Sequence, residues 1–101
     1  RPVLGVRYQT ITEQAALTNE VPQGAYIVEV VGGSTAAEIG IQQGDIITSI
    51  DDTKLKDQEL SVVLNKLRVG QKVAIEIWRD GEFQKLEATL KGQAQPTPAA
   101  N

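Results

Sequence analysis

With 101 residues, 10 basic and 13 acidic side chains, the chain has the size of one domain and a mildly acidic balance, without the basic stripe of a nucleic-acid binder. It contains no cysteine and no histidine, which excludes disulfides, thiolate metal sites, the commonest general base and any Ser-His-Asp or Cys-His nucleophile system. No apolar run is long enough to span a membrane, so direct membrane insertion is not expected. The sequence starts at Arg1 and not Met, and it reads as a piece of a longer protein. The lack of a signal peptide therefore says nothing about its compartment.

Val3 to Gln9 reads as a first strand of β-forming residues interrupted by Gly5. Thr12 is placed to cap a short helix running to Leu17. Turn residues Val21-Pro22-Gln23-Gly24 lead into Ala25 to Val31, whose apolar density predicts a central strand. After Gly32-Gly33, Ser34 can cap a helix of one or two turns, stopped by Gly40. Gln43-Gly44-Asp45 turns the chain into a strand ending at Ile50, closed off by Asp51-Asp52. Asp57 is placed to cap the longest helix, ended by Gly70. In it Leu60, Val63, Leu64 and Leu67 form one apolar stripe. Lys72 to Arg79 alternates apolar and polar residues, Asp80-Gly81 is a type I′ hairpin signal, and Phe83 to Leu90 returns as the partner strand. Residues 92–101, rich in Gln, Pro, Ala and Thr, are expected to be a flexible tail after a domain of residues 1–91.

These elements predict an α+β domain: a small, five- to six-stranded, partly open barrel or sandwich capped by one main and one or two short helices. In that order they resemble the PDZ domain in the circularly permuted bacterial form found in HtrA/Deg-type serine proteases. Four segments, together spanning about residues 1 to 90, carry the resemblance. Arg1-Pro2-Val3-Leu4-Gly5-Val6 looks like the family's carboxylate-binding loop, and Gly24 to Val31 like its small-residue-then-apolar strand. Ser34-Thr35-Ala36-Ala37-Glu38-Ile39-Gly40-Ile41-Gln42-Gln43-Gly44-Asp45-Ile46-Ile47 matches its most specific stretch, and Val69-Gly70 with Trp78-Arg79-Asp80-Gly81 completes the set. Thr35 stands where the family usually has proline, which is expected to loosen that helix start slightly. Val3 stands where an aromatic is usual, which implies loop amides held less firmly and a smaller pocket rim.

The resemblance implies a module that recognises C-terminal or unfolded peptide segments for an attached protease, in protein quality control outside the cytoplasm. It implies no cofactor and a parent able to form homo-oligomers. Strand addition is the recognition mode for which PDZ domains are a known example: main-chain hydrogen bonds give affinity and side-chain pockets give specificity. Gly5 has its own physical reason to be glycine, since a loop that turns successive N–H groups toward one point needs φ > 0 or close backbone approach. By the resemblance, the amides of Leu4, Gly5 and Val6 hold the peptide carboxylate, with Val3 at the rim and Arg1 adding charge. The edge of Val6, Arg7 and Tyr8 pairs with the peptide backbone. Gln58, Ser61, Val62 and Asn65 form the helical wall, and Leu64 reaches the bottom of an apolar pocket made with Leu4, Val6 and Val62.

Plainer readings exist for several residues. Glycine within a strand is often a bulge. Asp51-Asp52 are too few oxygens for calcium. Ser61 has no base to activate it. Trp78 is read as a partly covered sheet-face residue or one packed on the protease portion. An assembly element making oligomer contacts between protease subunits is the alternative function; an independent enzyme is nearly excluded.

Overall fold

The computed structural model describes residues 2–56 and 58–92. In chain order they form β1 (Pro2–Val3), β2 (Val6–Ile11), α1 (Glu13–Asn19), β3 (Gly24–Val30), α2 (Thr35–Ile39), β4 (Ile46–Ile50), β5 (Thr53–Lys54), α3 (Leu60–Asn65), β6 (Lys72–Arg79), β7 (Glu82–Thr89) and β8 (Lys91–Gly92). Residues 93–101, which the sequence marks as a tail, lie outside the described residues, as do Arg1 and Asp57.

Alternation sets the frame. In β6 Val73, Ile75 and Ile77 are buried, while Ala74, Glu76 and Trp78 turn the other way. Asp80 and Gly81 take φ of 53° and 82°, the left-handed pair a type I′ turn requires. β7 then returns in unbroken antiparallel register, Trp78 beside Phe83 and Val73 beside Ala88. The sheet order is β2-β3-β4-β6-β7, with β5 paired to β4. This sheet is open: β2 and β7 are its edges. β1 and β8 pair separately, Val3 opposite Lys91.

One face of the sheet makes the core. Ile27, Ile47, Ile50, Ile75 and Ile77 are essentially solvent-free and pack with Leu4, Leu60, Leu90 and Ala36. On the other face a register row runs from Gln9 through Tyr26, Ile46 and Trp78 to Phe83. Trp78 there is half-buried and lines a cleft of about 360 Å³ with Ala15, Asn19 and Tyr26.

Two helix starts match their sequence signals. Thr12 Oγ1 accepts from the Ala15 amide at 3.1 Å, and Ser34 Oγ from the Ala37 amide at 3.2 Å. Gly40 ends α2 at φ 92°. α3 departs from expectation. It has six residues, one fewer than α1, and its N-cap position is Glu59, whose side chain makes no cap bond. It stops well before Gly70, because the amides of Lys66 and Leu67 turn back to the carbonyls of Val63 and Leu64 in tight turns. Leu67, last of the apolar stripe, therefore lies past the helix and is half-buried. Gly70, at φ 88°, turns the chain toward β6 instead.

Two polar ties hold the loops. The Asp45 carboxylate, 3% exposed, accepts from Arg79 Nη2 at 2.7 Å and Nε at 2.9 Å, and from the Gln42 amide at 2.9 Å. Arg79 also donates to the Gly40 carbonyl at 2.8 Å. The hydrogen bond to Asp45 raises the pKa of the guanidinium. Thr35 does more than occupy a proline position: it is buried, and its hydroxyl accepts from the Lys91 amide at 3.3 Å, fastening α2 to β8. Lys91 Nζ adds an exposed ion pair to Glu38 at 2.6 Å.

Candidate functional site

Between β1 and β2 the ladder breaks at Leu4 and Gly5. Gly5 has φ 83°, and a Cβ there would overlap the Ser34 side chain, coming within 2.7 Å of its Oγ. Both demands exclude any other residue without strain. The Leu4 carbonyl accepts from the Ala36 amide at 2.9 Å, and the Gly5 carbonyl from the Val31 amide at 2.8 Å. With the carbonyls fixed on α2 and the end of β3, the amides of Leu4 and Gly5 meet no acceptor among the described residues. Such a pair of free, neighbouring N–H groups is a small anion cradle.

The cradle stands at the head of β2, which pairs with β3 on one side only. Because the Gly5 carbonyl faces β3, strand alternation turns the main-chain groups of Val6 and Tyr8 to the open edge. The side chains of Val6 and Tyr8 are half-buried against the core. α3 approaches this edge through Tyr8, whose hydroxyl accepts from the Ser61 amide at 3.1 Å and lies 3.5 Å from Glu59 Oε1. Tyr8 thus supplies the first-turn partner that the Glu59 side chain does not.

The residues expected from sequence divide as follows. Gly5, Val6 and Tyr8 line the edge. Ser61, Val62 and Asn65 are exposed on α3, Val62 at 43%. Gln58 is half-buried and accepts from Lys66 Nζ at 2.9 Å. Leu4 and Leu64, expected at the pocket, are core residues, Leu4 at 1% exposure. The Arg7 side chain is exposed and pairs with Glu29 across β3 at 3.2 Å. Val3 is held through its main-chain pairing with Lys91; its side chain, expected as a rim, lies outside what is described, as does Arg1. The Tyr8–Ser61–Glu59 contact was not anticipated. Its only sequence signal is a strand tyrosine whose polar tip needs a partner.

Residues 2–90 match the PDZ domain family. The "Probable periplasmic serine endoprotease DegP-like" of Rhizobium meliloti (strain 1021) is 32% identical over 103 residues, covering 95% of this chain. The chain spans 20% of that relative's length. Among solved structures, the HtrA-type protease AlgW with decapeptide superposes with a TM-score of 0.76 at 28% identity, covering 95% of this chain and 30% of its own. The HtrA3 PDZ domain bound to the phage-derived ligand FGRWV gives 0.73 at 25% identity, covering 90% of this chain and 86% of its own. With the family match running over residues 2–90 and these relatives spanning most of the chain, the chain belongs to the PDZ domain family, and is of the kind found in HtrA- and Deg-type serine proteases.

Proposed function

We propose that this domain binds C-terminal or unfolded peptide segments as an added strand on β2, and serves an attached HtrA/Deg-type serine endoprotease in recognising or regulating substrates outside the cytoplasm. The observation that carries the reading is the pair of amides at Leu4 and Gly5 that meet no acceptor among the described residues, at the head of an open strand edge. A terminal carboxylate fits there as an acceptor, and Val6 and Tyr8 continue the ladder. Two relatives of known structure hold peptides: AlgW a decapeptide, and HtrA3 the ligand FGRWV, which ends in valine with arginine two places before it. The periplasmic naming of the Rhizobium relative supports the location. The domain is a non-catalytic module, and cleavage belongs to the proposed parent.

Titration of the domain with short peptides, free-acid against carboxy-amidated, tests the reading. A short ligand buries little surface and must be ordered, so affinities near the micromolar range are expected, on the order of −7 to −8 kcal/mol. Peptides ending in a medium apolar residue should bind best, against Val6 and Val62. Equal affinity for acid and amide would exclude the carboxylate cradle.

A further inference from the structure

The sheet has a second open edge at β7, the far end of the strand order from β2. The residue just beyond the strand fixes which main-chain groups this edge exposes. The Leu90 amide donates to the Gln71 carbonyl at 3.0 Å, and the Leu90 carbonyl accepts from the Gly70 amide at 2.7 Å. Leu90 thus faces the β6 side, and by alternation so do Ala88, Leu86 and Gln84. Phe83, Lys85, Glu87 and Thr89 turn their N–H and C=O groups outward, where they meet no partner among the described residues. α2 packs beside β7 without a main-chain bond to it.

The side chains of these four residues share the outer face of the sheet and are exposed, Phe83 at 58%. Neither Lys85 nor Glu87 forms an ion pair among the described residues. A bare strand edge is a template for another strand, and charge on the edge limits what can pair there. Here the charges select a register. Laid antiparallel on itself about a two-fold axis at Leu86, β7 sets Lys85 opposite the second copy's Glu87, and Glu87 opposite its Lys85. Phe83 falls opposite Thr89. Leu86, half-buried on the core face, meets its own counterpart. In this register outward-facing residues meet outward-facing residues, so the main-chain bonds close as well. An axis at Lys85 would instead oppose the two lysines, and an axis at Glu87 the two glutamates, both unfavourable.

We infer that β7 is a self-association edge, at which two copies of this domain join as antiparallel strands in the register that pairs Lys85 with Glu87. One patch serves both copies, as a two-fold interface requires. The joined sheet keeps a β2 edge at each far end, so this inference is independent of the peptide-binding reading. The seam is narrow beside the roughly 1,200–2,000 Å² of a stable complex. The dimer is therefore weak, with a Kd on the order of 0.1–1 mM.

Sedimentation equilibrium of the chain, from well below to above that concentration range, tests it. The wild type should show a reversible monomer–dimer equilibrium. Lys85→Glu and Glu87→Lys each place like charges opposite one another twice, and each should weaken the dimer by roughly 5- to 30-fold. Mixed in equal amounts, the two variants should pair with each other about as tightly as the wild type pairs with itself. The double exchange Lys85→Glu/Glu87→Lys should self-associate like the wild type. All three variants should keep the wild-type melt, since both positions are exposed. A wild type that stays monomeric throughout, single variants that dimerise as well as the wild type, or a mixture that fails to combine overturns the inference. A wild type that binds no peptide counts against the β2 groove alone and leaves these readouts decisive.

Discussion

At Gly5 two demands coincide, and they can be measured apart. Alanine there adds a left-handed backbone penalty of roughly 1–2 kcal/mol to a steric overlap with Ser34. Gly5→Ala should therefore cost about 2–3 kcal/mol in urea denaturation. Ser34→Gly alone removes a cap hydroxyl and should cost only a few tenths of a kcal/mol, roughly, because glycine is itself tolerated at N-caps. Combined, the two changes should recover the overlap part and leave the backbone part. Strict additivity in the double variant would show that the Ser34 side chain does not set the limit. Tyr8 allows a milder probe. Tyr8→Phe deprives the Ser61 amide of its acceptor on a wet surface, so a loss of about 0.5–1 kcal/mol is expected.

Among the elements, α3 shows how side-chain spacing and helix length come apart. Leu60 is 1% exposed and Leu60→Ala should cost about 2–5 kcal/mol by leaving a cavity. Leu67 shares the stripe but sits past the helix, half-buried, so Leu67→Ala should cost less, about 1–2 kcal/mol. Thermal melts that ranked Leu67 above Leu60 would contradict this placement. Ser61→Ala and Asn65→Ala, both at exposed positions, should change stability by less than about 0.5 kcal/mol while altering which peptides bind. The tie between the β6–β7 hairpin and the turn before β4 is a second case. Arg79→Ala leaves the Asp45 carboxylate buried without its charge partner, a loss of about 3 kcal/mol. Arg79→Lys keeps the charge but loses the two-pronged geometry, so its loss should be intermediate. The raised pKa of Arg79 keeps this contribution constant through the working pH range, since stability gained from a raised base is lost only as pH climbs through the folded-state value.

Over the whole molecule, what was legible from sequence is what is encoded locally. The β6–β7 hairpin could be read because alternation and the Asp80-Gly81 turn are short-range signals; Thr12, Ser34 and Gly40 are caps for the same reason. The length of α3 was not legible, because apolar spacing reports burial, and Leu67 is partly buried without being helical. The two-residue β5 is too short to carry a pattern. At the site, Gly5 stood out as a glycine among apolar residues. The sequence could not say that Leu4 faces the core, because Gly5 interrupts the alternation that would fix its direction. Nor could it join Tyr8 to Glu59, 51 residues away, since that contact exists only once β2 and α3 are docked. The anchoring of the loop by its carbonyls has a further consequence in time. In the free domain, the amide protons of Val31 and Ala36 are engaged by Gly5 and Leu4, whereas those of Leu4 and Gly5 have no described acceptor. Deuterium should therefore enter the second pair quickly and the first pair slowly, although all four lie within one loop junction. A bound carboxylate should slow only the fast pair, giving each occupied cradle a kinetic signature at two named protons.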